Sequence, residues 1–134
     1  MLGLMWKGLS AMEHGQLSIL IADDDVSVAR VMRLALALQG WRVDLVEDGL
    51  EAIDKALAED YDLILMDQRM PKCSGTEAAQ RIRAQKPDQR IAMVTGSPMG
   101  EGRHRVAGVE GLYHLDKPFT PSELVAAVKR WVKV

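Results

Sequence analysis

Short and nearly uninterrupted apolar runs alternate along this chain with longer segments in which apolar residues recur every three or four positions. The short runs are typical of strands covered on both faces, and the longer segments have the period of amphipathic helices. This alternation predicts an α/β fold with a doubly wound, five-stranded parallel sheet. The predicted strands span residues 18–22, 42–46, 63–66, 91–94 and 112–115.

The first two predicted helices are marked by apolar residues at helical spacing, which indicates one face turned toward the core. The first helix is expected to end before Gly40, because glycine is common just beyond helix C-termini. The residues expected to face the core are Val28, Val31, Ala35 and Leu38 in the first helix and Leu50, Ile53 and Leu57 in the second.

Two later helices are predicted from capping boxes, in which a hydroxyl residue is followed three positions later by a glutamate. The two pairs are Ser74 with Glu77 and Thr120 with Glu123. Pro87 is expected to stop the earlier of these helices after Ile82. Pro121 suits the first position of the last helix, which is expected to bury Leu124, Val128 and Trp131.

A further helix is expected between the fourth and fifth strands, within residues 96–111. Gly100, Gly102 and Gly108 lie in this segment. A glycine costs about 1 kcal/mol in the interior of a helix. The segment therefore predicts a helix that is short or loosely packed.

Residues 1–16 precede the first strand and predict a flexible N-terminal leader, with residues 17–134 forming one domain. Glycines at positions 3, 8 and 15 interrupt the apolar residues of this leader, and no apolar run approaches the length of a membrane span. The long apolar core of a secretory signal is also missing. A short interaction arm is the alternative interpretation.

The composition, net charge and cysteine count exclude several classes of protein. The chain has 134 residues, of which 48% are apolar and 27% charged, and this allows one globular domain. A formal charge of −2 gives no general attraction to phosphate backbones or anionic bilayers, so neither direct nucleic-acid binding nor membrane binding is expected. The chain has a single cysteine, Cys73, which excludes an intramolecular disulfide and a zinc cluster. The lack of disulfides is typical of a cytoplasmic protein.

The candidate chemistry lies where the predicted strands end, because functional groups of open parallel sheets collect at the carboxyl ends of their strands. These residues are Asp23, Asp24 and Asp25 after the first strand, Asp67 after the third, Thr95 after the fourth, and Asp116 and Lys117 after the fifth. Converging carboxylates repel one another unless a cation is present, and hard oxygen ligands suit Mg²⁺ or Mn²⁺. A lysine and a hydroxyl beside them are suited to phosphoryl oxygens.

Each of these residues also has a purely structural interpretation. Asp25 stands where the first helix begins and is expected to be its N-cap, while Asp24 would favour the positive end of the helix dipole. Asp67 could form a turn, and Thr95 or Lys117 alone is a weak signal. Matched chemistry at four strand ends nevertheless favours a functional site.

Taken together, these residues resemble the receiver domain of two-component response regulators, which has a (βα)5 flavodoxin-like fold. The segments that carry the resemblance are ILIADDD at 19–25, LILMD at 63–67 with Met70, Pro71 and Gly75, MVTG at 93–96, and DKPF at 116–119. The resemblance implies that Asp67 accepts a phosphoryl group from a sensor histidine kinase or a phosphotransfer protein. It also implies Mg²⁺ binding by Asp23, Asp24, Asp67 and the backbone carbonyl of Arg69.

The same resemblance implies a switch. Thr95 and Lys117 would contact the phosphoryl oxygens, and the bond from Lys117 to Pro118 would be cis, a form that only about 5–6% of X–Pro bonds adopt. His114 stands where the family generally has an aromatic switch residue, and the long, charged Arg69 lies two residues after the acceptor. Such a protein is not an enzyme with a separate substrate, although it assists its own phosphorylation and dephosphorylation.

The implied output is a partner protein or an output domain of unspecified type. Signal would leave through the face formed by the predicted fourth helix, the fifth strand and the last helix. A phosphorylation-dependent homodimer through that face is one form of this output.

Two alternatives from other functional classes remain open on the sequence. Asp23 and Asp25, spaced as Asp-x-Asp after a strand, also resemble the nucleophile loop of haloacid-dehalogenase-type phosphatases. In that case Asp23 would attack the phosphoryl group and Asp25 would supply a proton. The second alternative is an interaction module that works without phosphorylation, although the acceptor, threonine and lysine expected of a phosphorylated receiver are all present.

Overall fold

The computed structural model describes residues 16–96 and 109–133. Five strands form one sheet in the order β2-β1-β3-β4-β5, and every neighbouring pair is parallel. This order is that of flavodoxin-like doubly wound folds, so the predicted fold class is confirmed. The strands are β1 (Ser18–Ala22), β2 (Arg42–Val46), β3 (Leu63–Asp67), β4 (Ile91–Thr95) and β5 (Tyr113–Asp116).

Four strand ends, in three strands, differ from the prediction by one residue. β3 includes Asp67 and β4 includes Thr95, because each of these polar residues still has a partner in the adjacent strand. β5 begins at Tyr113 and ends at Asp116, which pairs with Thr95. Two predicted site residues are thus held by the sheet itself rather than by a loop.

Four helices lie in the described ranges, and a polar side chain caps the N-terminus of each by accepting a backbone N–H bond. They are α1 (Val26–Ala37, capped by Asp25), α2 (Gly49–Ala58, capped by Asp48), α3 (Gly75–Gln85, capped by Ser74) and α4 (Pro121–Val132, capped by Thr120). Asp25 is therefore the N-cap that the sequence predicts, and α4 begins with a complete capping box.

The predicted end of α3 was wrong by one turn. The helix continues past Ile82 to Gln85, and the N–H of Lys86 still donates to the Ile82 carbonyl at 2.8 Å. Proline restricts mainly the residue that precedes it, so Pro87 excludes helical geometry only from Lys86 onward.

Two apolar cores cover the faces of the sheet. On one face α1 and α4 pack over alternate residues of β1, β3 and β4, with Leu36, Leu124 and Val128 fully buried. On the other face α2 and α3 pack over the remaining strand residues, with Ala56 and Ile82 fully buried. Burial of both faces explains the almost continuous apolar sequences of the strands.

Part of the predicted inward face of the first two helices was wrong. Val31 is 56% exposed and Leu38 is 74% exposed, whereas α1 buries Ala29, Met32, Ala35 and Leu36. Leu50 of α2 is also exposed, and Ile53 is buried as predicted. The apolar residues of α1 form two stripes at helical spacing, and the alanines of one stripe let the helix lie close to the sheet.

Two predicted segments fall largely outside the described residues. The leader, except for Gln16, is one of them, and residues 97–108 of the glycine-rich segment are the other. No helix in the described ranges is both long enough and apolar enough to cross a membrane.

Two glycines bring helices into direct contact with the loop that follows β3. A Cβ on Gly75 would lie 2.1 Å from the Asp67 carbonyl oxygen, and one on Gly49 would lie 2.1 Å from the Cys73 carbonyl oxygen. Backbone oxygens cannot move aside as flexible side chains do. The helix N-termini therefore fix the position of the backbone around Asp67.

We expect Gly75→Ala to lower the free energy of unfolding by about 1–3 kcal/mol, because the added methyl group must displace backbone. Gly96→Ala is the matched control, since among the described residues its Cβ would meet no atom closer than the Lys117 Cβ at 3.9 Å. The control should change stability by less than about 0.5 kcal/mol. Urea unfolding of both variants measures the difference, and equal stabilities would contradict the close approach of α3.

Candidate functional site

A cleft of about 500 Å³ opens at the carboxyl edge of the sheet. The ends of four strands, β1, β3, β4 and β5, and the loops that follow them supply its walls. The lining residues are Asp23, Asp24, Asp25, Asp67, Arg69, Thr95, Gly96 and Lys117. Of the strand-end residues in the sequence prediction, only Asp116 does not line the cleft.

Asp23 lies at the buried base of this cleft and uses both carboxylate oxygens. One oxygen accepts the backbone N–H of Asp25 at 2.9 Å, and the other accepts the Lys117 ammonium at 3.0 Å. Its side chain is only 2% exposed. A carboxylate this far from water requires such partners, so Asp23 and Lys117 hold one another in place.

Lys117 reaches two carboxylates at once. Its Nζ lies 3.7 Å from an oxygen of Asp67 as well as 3.0 Å from Asp23. Burial lowers the pKa of Lys117, but the hydrogen bond to Asp23 and the charges of Asp23, Asp67 and Asp25 outweigh burial and raise it. Lys117 therefore stays a cation in the cleft at neutral pH.

Asp67 lies at the end of β3 with a side chain 12% exposed. Burial, followed by the negative charge of Asp23, raises its pKa from 3.8 to about 6, although Lys117 acts in the opposite direction. At pH 7 the carboxylate is thus mainly ionised but less stabilised than one in water. A cation that entered the cleft would relieve this unfavourable charge.

The acidic side chains have the spacing of a cation site. One carboxylate oxygen from each of Asp23, Asp24 and Asp67 lies within 4.8 Å of the others. Mg²⁺ takes oxygen ligands at about 2.0–2.1 Å, so small adjustments of these side chains would let all three oxygens contact one ion. The donor set of three carboxylates fits a hard divalent cation.

The loop after Asp67 is attached to α3 by contacts that the sequence analysis missed. Oε1 of Gln68 accepts both the backbone N–H of Thr76, at 3.1 Å, and its hydroxyl, at 2.7 Å. The carbonyl of Gln68 accepts the N–H of Gly75 at 2.9 Å. A glutamine eight residues before a threonine carries no local sequence signal, so only the folded chain reveals this connection.

A second backbone connection joins Thr95 to Lys117. The backbone N–H of Lys117 donates to the Thr95 carbonyl at 2.7 Å. The Lys117–Pro118 peptide bond is cis, as the sequence resemblance implied. The end of β4 is thus fixed directly to the residue whose ammonium reaches Asp23.

Arg69 and His114 were also predicted to belong to the site, and only Arg69 lines the cleft. Arg69 is exposed and lines the cleft at its rim. His114 does not line the cleft but lies half-buried on β5, opposite Met93 of β4. Side chains alternate along a strand, so His114 shares a sheet face with Thr95, whose register partner is Asp116.

The family of the chain follows from comparison with known proteins. A family model described as the response regulator receiver domain matches residues 19–129. The chain belongs to this family. The two-component receiver fold and function inferred from the sequence are thereby established at the level of the domain, and the phosphatase alternative has no support among the matches.

This receiver domain has relatives among longer regulators. It is 39% identical over 119 residues to the transcriptional regulatory protein ResD of Bacillus subtilis, a match covering 87% of this chain and 48% of ResD. It is 35% identical over 116 residues to the response regulator ArlR of Staphylococcus epidermidis, covering 84% of this chain and 51% of ArlR. The chain thus spans about half the length of the curated relatives it matches.

Solved receiver domains have a similar fold. The chemotaxis response regulator CheY4 of Vibrio cholerae superposes with a TM-score of 0.80 at 29% identity, covering 87% of this chain and 98% of CheY4. The receiver domain of a sensor histidine kinase from Pseudomonas aeruginosa superposes with a TM-score of 0.79 at 33% identity, covering 89% and 99% of the two chains. That neighbour holds a magnesium ion in its active-site cleft.

The raised pKa of Asp67 predicts a specific dependence of stability on pH. An unfolded aspartate titrates near pH 3.9, whereas Asp67 titrates at about 6 in the folded protein. Between these values the folded state binds more protons, so this residue lowers the free energy of unfolding as pH rises. Asp67→Asn removes this decrease in the free energy of unfolding, because asparagine does not ionise.

We therefore expect Asp67→Asn to become progressively more stable than the wild type between pH 4 and pH 7 when divalent cations are chelated. The difference should reach on the order of 1 kcal/mol after allowance for solvent screening. Urea unfolding across this pH range measures it. Parallel stability curves for the two proteins would contradict the raised pKa.

Proposed function

We propose that this receiver domain accepts a phosphoryl group on Asp67 and changes conformation in response. The observation that carries this proposal is the placement of Asp67, whose carboxylate lies beside both an acidic pair and the Lys117 ammonium. Phosphoryl transfer depends mainly on positioning and on neutralising charge, and this cleft offers both. We assign the receiver to residues 17–134, with residues 1–16 as a leader.

A divalent cation completes the proposed site. Asp23, Asp24 and Asp67 have the donor chemistry and spacing for it, and Arg69, which lines the same cleft, would add its backbone carbonyl. Mg²⁺ or Mn²⁺ held there would neutralise the oxygens of the incoming phosphoryl group. The magnesium ion in the Pseudomonas aeruginosa receiver supports Mg²⁺ as the physiological choice.

The side chains of the cleft then have distinct tasks. An ionised oxygen of Asp67 forms the new bond to phosphorus while the phosphorus–nitrogen bond of a donor phosphohistidine breaks, and the donor imidazole retains the electron pair. Lys117, held by Asp23, would turn its ammonium to a phosphoryl oxygen, and the Thr95 hydroxyl would donate to another. The donor is a sensor histidine kinase or a phosphotransfer protein.

The proposed response travels through β4 and β5. Movement of Thr95 toward the phosphoryl group would displace Lys117, because the two residues share a backbone hydrogen bond. The same movement would change the surroundings of His114, which lies on the same face of the sheet. The output surface is the predicted helix within residues 96–111 together with β5 and α4, acting on a partner, an output domain or a second copy of the chain. Relatives about twice as long as this chain support an output domain.

The arrangement of Asp23 disfavours its use as a phosphatase nucleophile. Both of its oxygens are engaged and its side chain is buried, whereas Asp67 lies nearer the cleft opening. A free nucleophile with a clear line of attack is required for a covalent phosphoryl intermediate. Asp67 is therefore the assigned acceptor.

Incubation with Mg²⁺ and a small acyl-phosphate donor should add one phosphoryl group to the protein, and Asp67→Asn should abolish this addition. Intact-mass measurement detects it directly. Asp25→Asn is the matched control because it changes a carboxylate in the same cleft while asparagine remains a good N-cap for α1. The control should be labelled normally.

Undiminished labelling of Asp67→Asn would overturn the assignment of the acceptor. Absence of any labelling of the wild type by either a small donor or a phosphohistidine donor would favour the interaction module that works without phosphorylation. Omission of Mg²⁺ should reduce the labelling rate at least severalfold, because the carboxylates would repel the phosphoryl oxygens.

Arg69 is expected to prolong the life of the phosphorylated protein. Its exposed side chain lies at the rim of the cleft, where it could block the in-line approach of water or pair with a phosphoryl oxygen. Arg69→Ala should therefore speed dephosphorylation severalfold, measured as loss of the phosphorylated mass with time. An unaltered decay rate would show that Arg69 points into solvent.

A further inference from the structure

Gln68 lies between Asp67 and Arg69, and three hydrogen bonds tie it to the start of α3. Its backbone carbonyl accepts the N–H of Gly75 at 2.9 Å. Its side-chain Oε1 accepts the backbone N–H of Thr76 at 3.1 Å and the Thr76 hydroxyl at 2.7 Å. A backbone N–H can only donate, so the atom that faces Thr76 is the amide oxygen and not the amide nitrogen. Gln68 is thus joined to the first two residues of α3 by both its backbone and its side chain.

These bonds are made where α3 has donors to spare, because the first N–H groups of a helix have no partner within the helix. Ser74 Oγ accepts the N–H of Glu77 at 3.2 Å. Gln68 accepts the N–H groups of Gly75 and Thr76. Ser74 caps the helix locally, whereas Gln68 connects the helix to the end of β3. A substitution can therefore remove either contact without the other.

The far end of the same loop is also fixed, and its backbone is strained. Lys72 has a φ of 69°, in the left-handed region that residues other than glycine rarely adopt. Its ammonium lies 3.3 Å from an oxygen of Asp48, the buried N-cap of α2. The Cys73 carbonyl is so close to α2 that a Cβ on Gly49 would lie 2.1 Å from it. A strained conformation persists only where the surrounding contacts hold it, so the loop that starts at Gln68 is fixed by its neighbours.

The Arg69 carbonyl is the least adjustable ligand of the proposed cation site. Carboxylate ligands can turn about their side-chain bonds, whereas a backbone carbonyl moves only with the backbone. Mg²⁺ requires near-octahedral geometry with oxygens at about 2.0–2.1 Å. Arg69 lines the cleft directly after Gln68, so the contacts of Gln68 restrain the position of this carbonyl.

We propose that Gln68 is a positioning residue for the cation: by holding Thr76 through Oε1, its side chain keeps the Arg69 carbonyl in place to bind Mg²⁺. This inference rests on the proposed function and its cation site, and it adds a residue that acts on the cation only through the backbone. Residues behind the direct ligands commonly change metal affinity by about 10–100-fold. Loss of the Gln68 contact should therefore weaken Mg²⁺ binding even where the protein stays folded.

Titration of the metal-free full chain with Mg²⁺, followed by amide shifts in ¹H–¹⁵N spectra, tests this role without a phosphodonor. Gln68→Leu removes Oε1 at a similar side-chain size, and its Mg²⁺ dissociation constant should be about tenfold higher. Thr76→Val, which keeps the N–H and loses the hydroxyl, should raise the constant by a smaller factor. Thr76→Ser, which keeps the hydroxyl, should bind like the wild type. Wild-type affinity in Gln68→Leu would overturn the inference.

The double variant shows whether the two side chains act together. Gln68→Leu with Thr76→Val should bind Mg²⁺ no more weakly than Gln68→Leu alone, because the hydroxyl acts through Gln68. Losses that add would overturn the pairing. Amide hydrogen exchange with a chelator present gives a readout that needs no metal: Gln68→Leu should speed exchange of the Thr76 N–H. Unchanged exchange would contradict the contact.

Ser74→Ala is the matched control, because it removes the cap on Glu77 and leaves the side chains of Gln68 and Thr76 intact. It should lower the urea midpoint of unfolding and leave the Mg²⁺ dissociation constant unchanged. If Ser74→Ala weakened Mg²⁺ binding as much as Gln68→Leu does, helix capping alone would explain the effect and the positioning role would be overturned.

Failure of this inference and failure of the proposed function give different results. If the wild type is phosphorylated and Gln68→Leu binds Mg²⁺ as tightly as the wild type does, only the role of Gln68 is overturned. If the wild type binds Mg²⁺ but is not phosphorylated on Asp67, the acceptor assignment is overturned, and the titrations still decide the role of Gln68. A wild type that binds no Mg²⁺ would overturn the cation site and this inference together.

Discussion

The structure depends on the placement of one ammonium group among carboxylates that repel one another. Asp23 is almost fully buried, Asp67 is nearly so, and Lys117 lies within 3.0 and 3.7 Å of the two. Without this cation the burial of two negative charges so close together would be severely unfavourable. Even with it, the pKa of Asp67 stays raised to about 6. The cleft thus retains excess negative charge, which a bound divalent cation would neutralise when a phosphoryl group is added.

The rest of the fold serves to keep these groups in register. Parallel pairing brings the ends of β1, β3 and β4 to one edge, so residues far apart in sequence share a cleft. Gly75 lets α3 touch the Asp67 carbonyl, and Gln68 ties the following loop to Thr76. The hydrogen bond from Lys117 to the Thr95 carbonyl fixes the fifth strand end. A rigid base with paired charges at its centre suits a domain that must respond to one added group.

The exposed side of α1 shows how a correct pattern can be assigned to the wrong face. Val31 and Leu38 have helical spacing, as do Ala29, Met32 and Leu36, and spacing alone does not distinguish an inner from an outer stripe. The sheet selects the stripe that contains alanines, because small side chains permit close packing. The other stripe, which contains Val31 and Leu38, faces outward.

The sequence by itself determined the fold class, the N-caps Asp25, Ser74 and Thr120, and the set of strand-end residues, whereas the N-cap Asp48 was not predicted. These features are local: strand composition, the period of a helix, and a capping side chain within three residues of its target all act over short distances. Only the tertiary structure decided that Asp23 uses both its oxygens, that Gln68 binds Thr76, and that α1 turns Val31 and Leu38 outward. Each of these depends on contacts between residues distant in sequence or between whole packed faces. Such contacts exist only after the sheet has brought the distant segments together, because their geometry is set by the shared core rather than by any one segment.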